Sequence, residues 1–306
     1  MVKKIYKGET ECQHEFCKKK AYYIVNFPVH FGNSVIRDNE KYLCGHHSKK
    51  YTSRENMPKN NKKYEKPKDE YKDHNDKCTI IAEENKKKGI KGKVSFFKMR
   101  MFSVVGYQEG YLNIFPNYKH GNRSGGIGCS SLSPMSVGPV VHNQPTIKVN
   151  SKNLENFHQG NKVFEDEVDK DGNIKDKFFK TQLAFYNDNT PHRHKPNKSK
   201  TNKTLFSVWV TQDKKLNKLT SIESRQFYCN YYERLVKNLK EFTFLQNKIN
   251  EGYNLRICGY DANDVTTYEE AYLDGSKPFG HERVLACMLE LKEEDYPWRK
   301  YKTFDF

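Results

Sequence analysis

A lysine-rich tract over residues 48–93 most constrains how this chain of 306 residues can fold. It holds fifteen Lys or Arg residues against eight Asp or Glu residues, and it has almost no large aliphatic side chains. So few apolar groups cannot bury enough surface to offset the entropy lost on ordering the backbone. We therefore predict a disordered basic linker at residues 48–93, which joins a small module at residues 1–47 to a larger domain at residues 94–306.

The chain carries a formal net charge of +16, of which the tract supplies seven charges. Self-repulsion on this scale favours a polyanionic partner, and nucleic acid is the first candidate. A composition that simply reflects an AT-rich genome is the alternative. Hydrophobic residues make up only 35% of the chain, but 19 Phe and 20 Tyr residues supply large rings for a folded core.

No stretch of the sequence reaches the roughly 18 to 20 apolar residues that a membrane span requires, and no apolar secretory segment follows the basic first residues. We therefore expect an intracellular protein, cytosolic or nuclear, without a membrane partner. Eight cysteines are too sparse for a disulfide scaffold in a chain of this length, so we expect free thiols except where a metal binds them.

Four residues of the N-terminal module have the spacing of a zinc site. Cys12 and Cys17 are separated by four residues, whereas Cys44 and His47 are separated by two. Two close pairs of thiolate and imidazole ligands suit tetrahedral zinc, and the interval between the pairs can hold a hairpin or a loop. His46 is the rival fourth ligand, and unrelated thiols beside incidental histidines are the alternative. Four protein ligands leave no open coordination position, so the expected cofactor is structural zinc.

The pattern of residues 94–306 predicts a mixed domain, α+β or α/β, because strand and helix signals alternate. Aromatic and β-branched runs predict strands near residues 95–105, 132–141, 206–210 and 255–258. Helices are predicted near residues 220–239, 242–250 and 280–289. The first of these has a sharp start, because Thr220 and Glu223 have the spacing of a capping box.

A further helix is predicted over residues 153–164. Four polar side chains fall at i, i+3, i+4 and i+7 and therefore share one side of it: Glu155, His158, Gln159 and Lys162. We take Glu155, His158 and Gln159 as candidate catalytic residues and Lys162 as a candidate ligand-binding residue. A carboxylate beside an imidazole, an amide and an ammonium can perform acid–base chemistry if this side lines a cleft. A solvated helix face is the alternative.

Two other segments contain candidate ligand-binding residues. In the glycine-rich segment 121–128, the backbone N–H groups of Gly125 and Gly126, together with Arg123, can hold a phosphate. Flexibility is the alternative, because the segment lacks a full phosphate-loop signature.

Asp261 follows the predicted strand 255–258, where open α/β sheets place ligand-binding residues. His281 and Glu282 open the next helix, so all three side chains can face one cleft. A loop aspartate and a helix-capping histidine are the alternative reading of Asp261 and His281.

Three motifs follow one another in the middle of the chain: Leu132-Ser133-Pro134, Gly138-Pro139-Val140, and Leu154-Glu155 with Gln159 and Lys162. Their order resembles the NADAR family, whose pattern is a Leu-Ser-Asn segment, a proline-containing strand and a Glu-His helix that carries Gln and Lys. The family contains N-glycosidases that act on ADP-ribose-like and riboflavin-precursor N-glycosides. The resemblance implies that Glu155 is the catalytic carboxylate and that Gln159 and Lys162 line the pocket. Pro134 and Asn156 stand where the family has Asn and His.

Other segments carry further resemblances. The residues 279–282 are similar to the end of small α/β domains that accompany NADAR domains, and the Cys/His spacing resembles short zinc modules of large DNA viruses and some algae. The order of segments resembles uncharacterised proteins of giant, mimivirus-like viruses, which implies the host cytoplasm, a viral factory or the virion as the location.

These resemblances lead us to expect an N-glycosidase or ADP-ribose-type hydrolase that cleaves a ribosyl C–N bond and is targeted by its zinc module and basic tether. Its small-molecule partner would be a nucleotide or an ADP-ribose-like compound. Two alternatives stay open. One is a nucleic-acid-binding or virion-associated protein without enzymatic activity, and the other is an inactive NADAR-like domain that only binds a nucleotide.

Overall fold

The computed structural model describes residues 2–4, 23–31, 34–43, 68–100, 104–145, 147–193 and 203–302. The chain divides into two compact units, residues 1–65 and residues 66–306. In the first unit, three antiparallel strands pair in sequence order: β1 (Val2–Lys4), β2 (Tyr23–Phe31) and β3 (Ser34–Leu43).

The strands β2 and β3 occupy the interval between the two pairs of candidate zinc ligands. The candidates themselves lie outside the described residues: Cys12, Cys17, Cys44, His47 and the rival His46. The zinc site therefore stays a prediction.

A parallel sheet of four strands forms the centre of the second unit, in the order β4-β10-β5-β6. Its strands are β4 (Val94–Lys98), β5 (Tyr111–Phe115), β6 (Ile127–Gly128) and β10 (Asn254–Gly259). Because successive side chains of a strand point to opposite faces, Leu255 and Ile257 join the main core on one face, while Cys258 packs with Phe115 on the other. Both faces of the sheet are thus covered.

A second sheet of this unit is antiparallel, in the order β7-β8-β9. It consists of β7 (Lys162–Phe164), β8 (Thr204–Val210) and β9 (Leu216–Leu219). Aromatic rings connect it to the helices, since Phe157 lies 6.1 Å from Trp209 and 5.0 Å from Tyr231, measured between ring centroids. These rings belong to the main core, which the high aromatic content of the sequence predicted.

Within the described residues the second unit has eight α-helices. They are α1 (Lys68–Lys87), α2 (Leu154–Gly160), α3 (Asp176–Asn187), α4 (Ser221–Val236), α5 (Lys240–Asn250), α6 (Tyr268–Leu273), α7 (His281–Glu290) and α8 (Pro297–Lys300). The mixed α and β class is confirmed. The predicted capping box is present, because the Thr220 side chain accepts a hydrogen bond from the Glu223 backbone and the Glu223 carboxylate accepts one from the Thr220 backbone.

The prediction of a disordered linker is wrong for residues 68–87, which form the helix α1. One face of this helix is buried at His74, Cys78 and Ala82, and Nε2 of His74 lies 2.9 Å from the carbonyl oxygen of Tyr111. Composition underestimates such a helix because small and polar side chains spaced at i, i+4 and i+8 form one continuous stripe. Residues 48–67 of the predicted linker lie outside the described residues.

The predicted strand at residues 132–141 is also absent. A 3-10 turn (Ser130–Leu132) comes first, and residues 133–139 then form turns and loop that include a cis peptide bond between Gly138 and Pro139. Only Val140 forms a β-bridge, with Ser151. Finally, none of the helices in the described part of the chain is long and apolar enough to cross a membrane.

Candidate functional site

A cleft of about 600 Å³ lies where three strands of the parallel sheet end. Asn117 follows β5, Ser133 follows β6, and Asp261 follows β10, and all three line the cleft. The carboxyl ends of parallel strands meet at one edge of a sheet, so the loops that leave them surround a common space. The predicted placement of Asp261 beyond its strand, at this edge of the sheet, is confirmed.

The helix α2 supplies another part of the cleft wall, and neighbouring segments fix its first turn. Asn153 is its N-cap and accepts a hydrogen bond from the backbone of Asn156. The next two N–H groups donate to the turn at residues 133–137: Leu154 to the carbonyl of Val137, and Glu155 to that of Pro134, both at 2.9 Å. The turn at residues 133–137 is therefore in contact with the helix α2 and holds its first turn in place.

The polar side of α2 faces the cleft because its apolar side is in the core. Leu154 and Phe157 are fully buried, whereas Glu155, His158 and Gln159 line the cleft. The predicted sharing of one side by these three residues is confirmed. The alternative of a solvated face is wrong, since Glu155 is only 8% exposed.

The helix is shorter than predicted, because Asn161 ends it. The amide of Asn161 donates to the carbonyl of Phe157 and to the hydroxyl of Tyr186, and its oxygen accepts from Gln182. Lys162 consequently lies on β7, yet it still lines the cleft.

A chain of hydrogen bonds orients the Glu155 carboxylate. Nε2 of Gln159 donates to Oε1 of Glu155 at 2.9 Å, and Nζ of Lys162 donates to Oε1 of Gln159 at 3.2 Å. Burial raises the pKa of Glu155 above its ordinary value, and the hydrogen bond from Gln159 and the charge of Lys162 partly oppose this. The result is an oriented carboxyl group with an increased affinity for a proton.

His158 lies beside this carboxyl group on the same helix, and burial shifts its pKa in the opposite direction. Burial, followed by the charge of Lys162, lowers the pKa of His158 well below its ordinary value, so the imidazole is neutral at physiological pH. Its ring centroid lies 4.8 Å from that of Tyr228, and its Nδ1 forms no hydrogen bond. A neutral imidazole can contact a ligand, but it cannot act as a cationic proton donor.

The start of α7 contributes two side chains to the cleft. His281 and Glu282 both line it, as does Asp261, so the prediction that these three residues face one cleft is confirmed. Nδ1 of His281 lies 3.2 Å from Oε2 of Glu282. Glu282 is only 1% exposed, although an isolated buried carboxylate is costly in an apolar interior.

The end of α6 and the loop at residues 274–280 are held by two buried arginines, and the loop also lines the cleft. The guanidinium of Arg225 donates to the carbonyls of Tyr272, Asp274 and Lys277, while Arg283 donates to that of Pro278. Burial lowers the pKa of Arg225, and the surrounding carbonyl oxygens compensate its charge. Arg225 therefore acts mainly as a structural residue of the wall.

Four residues of α4 that line the cleft were not among the predicted site residues: Ser221, Ser224, Arg225 and Tyr228. Their spacing of i, i+3, i+4 and i+7 is the pattern that singled out the polar side of α2, and it was a usable signal. Burial, followed by the charge of Glu155, raises the pKa of Tyr228 well above its ordinary value. Tyr228 therefore presents a neutral phenol to the cleft.

Arg193 also lines the cleft, and Asn156 explains how its segment is held. The buried amide of Asn156 donates to the carbonyls of Asp188 and Thr190 and accepts from the backbone N–H of His192. These bonds fix the chain just before Arg193, whose guanidinium lies 6.0 Å from the ring of Tyr260. No local pattern of the sequence marks such a contact, because its partners are more than 30 residues apart.

The glycine-rich segment lies elsewhere. Arg123, Gly125 and Gly126 are not among the residues that line the cleft. The guanidinium of Arg123 lies over the ring of Phe115 instead, at 5.1 Å. The segment that was predicted to hold a phosphate therefore does not line the cleft that contains Glu155.

The described residues contain no group of three or more His, Cys, Asp or Glu side chains arranged to hold a metal ion. Comparison of the chain with protein-family models, with curated proteins and with solved structures finds no match.

Proposed function

We propose that this protein is an N-glycosidase or ADP-ribose-type hydrolase that cleaves a ribosyl C–N bond in the cleft beside Glu155. One observation carries the proposal: a buried, oriented carboxyl group with a raised pKa lies in a cleft of about 600 Å³ at the carboxyl edge of a parallel sheet. Perturbed carboxyl groups in clefts are typical of catalytic sites.

The chemistry requires such a group. Cleavage of a ribosyl C–N bond builds positive charge on the sugar, which an adjacent carboxylate stabilises. The same carboxylate can orient a water molecule and accept its proton as the oxygen attacks the sugar. A raised pKa makes Glu155 a stronger base for that step than an exposed glutamate.

The remaining walls suit a phosphorylated nucleoside-like substrate. The rings of Tyr228, Tyr260 and Phe279 supply flat apolar surface for a base, and the cations of Lys162 and Arg193 can contact phosphate. The cleft thus contains an acidic group for bond cleavage, Glu155, and two cationic groups for phosphate, Lys162 and Arg193.

The test is hydrolysis of a panel of ribosyl N-glycosides, with and without a 5′-phosphate or ADP group, measured by chromatography of the released base. We expect turnover by the wild-type protein and a loss of about 10²–10⁴-fold in the variant Glu155→Gln. Gln keeps the shape of the side chain and can still accept the hydrogen bond from Gln159, so the fold should be retained.

Glu294→Gln is the matched control, because Glu294 is exposed and does not line the cleft. Its turnover should equal that of the wild type. Full turnover by Glu155→Gln would remove Glu155 from the mechanism.

Targeting by the zinc module and the basic tract is part of this proposal. Nucleic-acid binding without catalysis is a second proposal, which the net charge of +16 supports. Contacts with phosphates would make that affinity fall steeply with salt concentration, whereas hydrolysis in the cleft has no such requirement.

A further inference from the structure

His281 is placed to do more than contact a ligand. It is the first residue of α7, it is only 9% exposed, and it lines the cleft that contains Glu155. Its two ring nitrogens differ: Nδ1 lies 3.2 Å from the Glu282 carboxylate, whereas Nε2 forms no hydrogen bond. A buried polar atom without a partner is costly, so an unpaired Nε2 in a cleft points to a ligand group that completes it.

The carboxylate beside Nδ1 is held by the surrounding backbone. Oε1 of Glu282 lies 3.5 Å from the backbone nitrogen of Asp261. Gly259 leaves the space that this carboxylate occupies, because a Cβ atom at residue 259 would lie 2.1 Å from Oε1. Oε2 lies 3.2 Å from Nδ1 of His281 and, like Nε2 of that ring, forms no hydrogen bond. A carboxylate next to one nitrogen of a histidine orients the ring.

The proposed hydrolysis moves two protons. The C–N bond breaks, its electron pair leaves with the nitrogen, and a neutral leaving group must gain a proton. Water forms the new C–O bond and loses a proton, which Glu155 accepts. A second group must therefore donate to the leaving nitrogen.

Two neighbours of Glu155 are poor donors. His158 is neutral, and the raised pKa of Tyr228 makes its phenol a weak acid. His281 lines the same cleft as Glu155.

We propose that His281 is the general acid of this reaction, donating from Nε2 to the leaving nitrogen, and that Glu282 is the positioning residue that orients its ring. This inference rests on the proposed N-glycosidase function. It also predicts which substrates depend on His281, namely those whose leaving group must gain a proton.

Two substrate types test it with His281→Gln. A neutral ribosyl N-glycoside must have its leaving nitrogen protonated, whereas a ribosyl pyridinium releases neutral pyridine without a proton. We expect kcat/KM to fall by about 10²-fold or more for the neutral substrate and to stay within about threefold of the wild type for the pyridinium. Glu282→Gln should lower the ratio of the two kcat/KM values, neutral substrate over pyridinium, by about tenfold, because it removes the negative charge beside Nδ1 but keeps the shape of the side chain.

The outcomes are distinguishable. Equal losses on both substrates by a folded His281→Gln, or no loss on either, would overturn the role of His281 while leaving the hydrolase proposal intact. An inactive wild type on both substrates would overturn the two proposals together. If circular dichroism shows that His281→Gln is unfolded, Glu282→Gln becomes the test. An unchanged ratio of its kcat/KM values for the two substrates, compared with the wild type, counts against the proposal.

Discussion

The helix α2 and the glycine-rich segment 121–128 were both predicted to contact a ligand, but only the helix lines the cleft. On α2 the apolar side is anchored in the core, so the position of Glu155 follows from the helical period. The glycine-rich segment has no such period. Two of its glycines, Gly126 and Gly128, are explained by backbone contacts with β5 and with the segment's own turns.

Those contacts are close. A Cβ atom at Gly126 would lie 2.4 Å from the carbonyl oxygen of Asn113, and one at Gly128 would lie 2.1 Å from that of Gly121. The side chain of Asn113 adds a hydrogen bond to the carbonyl of Gly125. A cluster of glycines therefore reports close approach of backbones as readily as it reports phosphate binding.

The largest effect that separates the two regions is expected from Gly128→Ala. The added methyl group would clash with the backbone carbonyls of His120 and Gly121, which cannot move aside as a flexible side chain can. We expect a loss of about 1–3 kcal/mol in the free energy of unfolding, measured with urea. Gly106→Ala is the control, since a Cβ atom there meets nothing within 4 Å. Equal stability of the two variants would show that the segment is free to adapt.

A smaller effect, an increase in stability, is expected from a substitution of Glu155 in the helix α2. The pKa of Glu155 is raised in the folded state, so the folded protein binds this proton more tightly than the unfolded chain does. The wild type therefore loses stability as pH rises from the ordinary glutamate pKa of about 4.3 through the raised value.

Glu155→Gln removes this loss. At pH 7 we expect the variant to have a higher Tm than the wild type, and the difference should shrink as the pH falls towards 4, measured by thermal unfolding across pH. A constant difference at all pH values would mean that the carboxyl group is not perturbed. Lower activity with higher stability is typical of a catalytic residue.

The smallest effect is expected from Arg123→Gln. Arg123 lies over Phe115 away from the cleft, and contacts of a cation with a ring near the surface are worth about 0.5–1 kcal/mol. Turnover should stay within about twofold of the wild type on any substrate that Glu155 hydrolyses. A tenfold loss of turnover that is confined to phosphorylated substrates would show that Arg123 contacts the ligand.

Much of the local structure of the second unit could be predicted from the sequence alone. The capping box at Thr220, the strand 206–210 and the polar side of α2 depend on neighbours within one or two helical turns or on alternation along a strand. The position of Asp261 also followed from the sequence, because a residue just after a buried parallel strand lies at the sheet edge. These predictions needed no knowledge of distant contacts.

Tertiary structure alone decided which of these local elements share a site. Arg193 reaches the cleft through the bonds of Asn156 to residues 188–192, and Glu282 occupies space that Gly259 leaves open. One face of the helix α1 packs against the sheet although its composition is that of a linker. In each case the stabilising partner is distant in sequence. Burial and the pKa shifts that follow from it therefore arise only once the chain has folded.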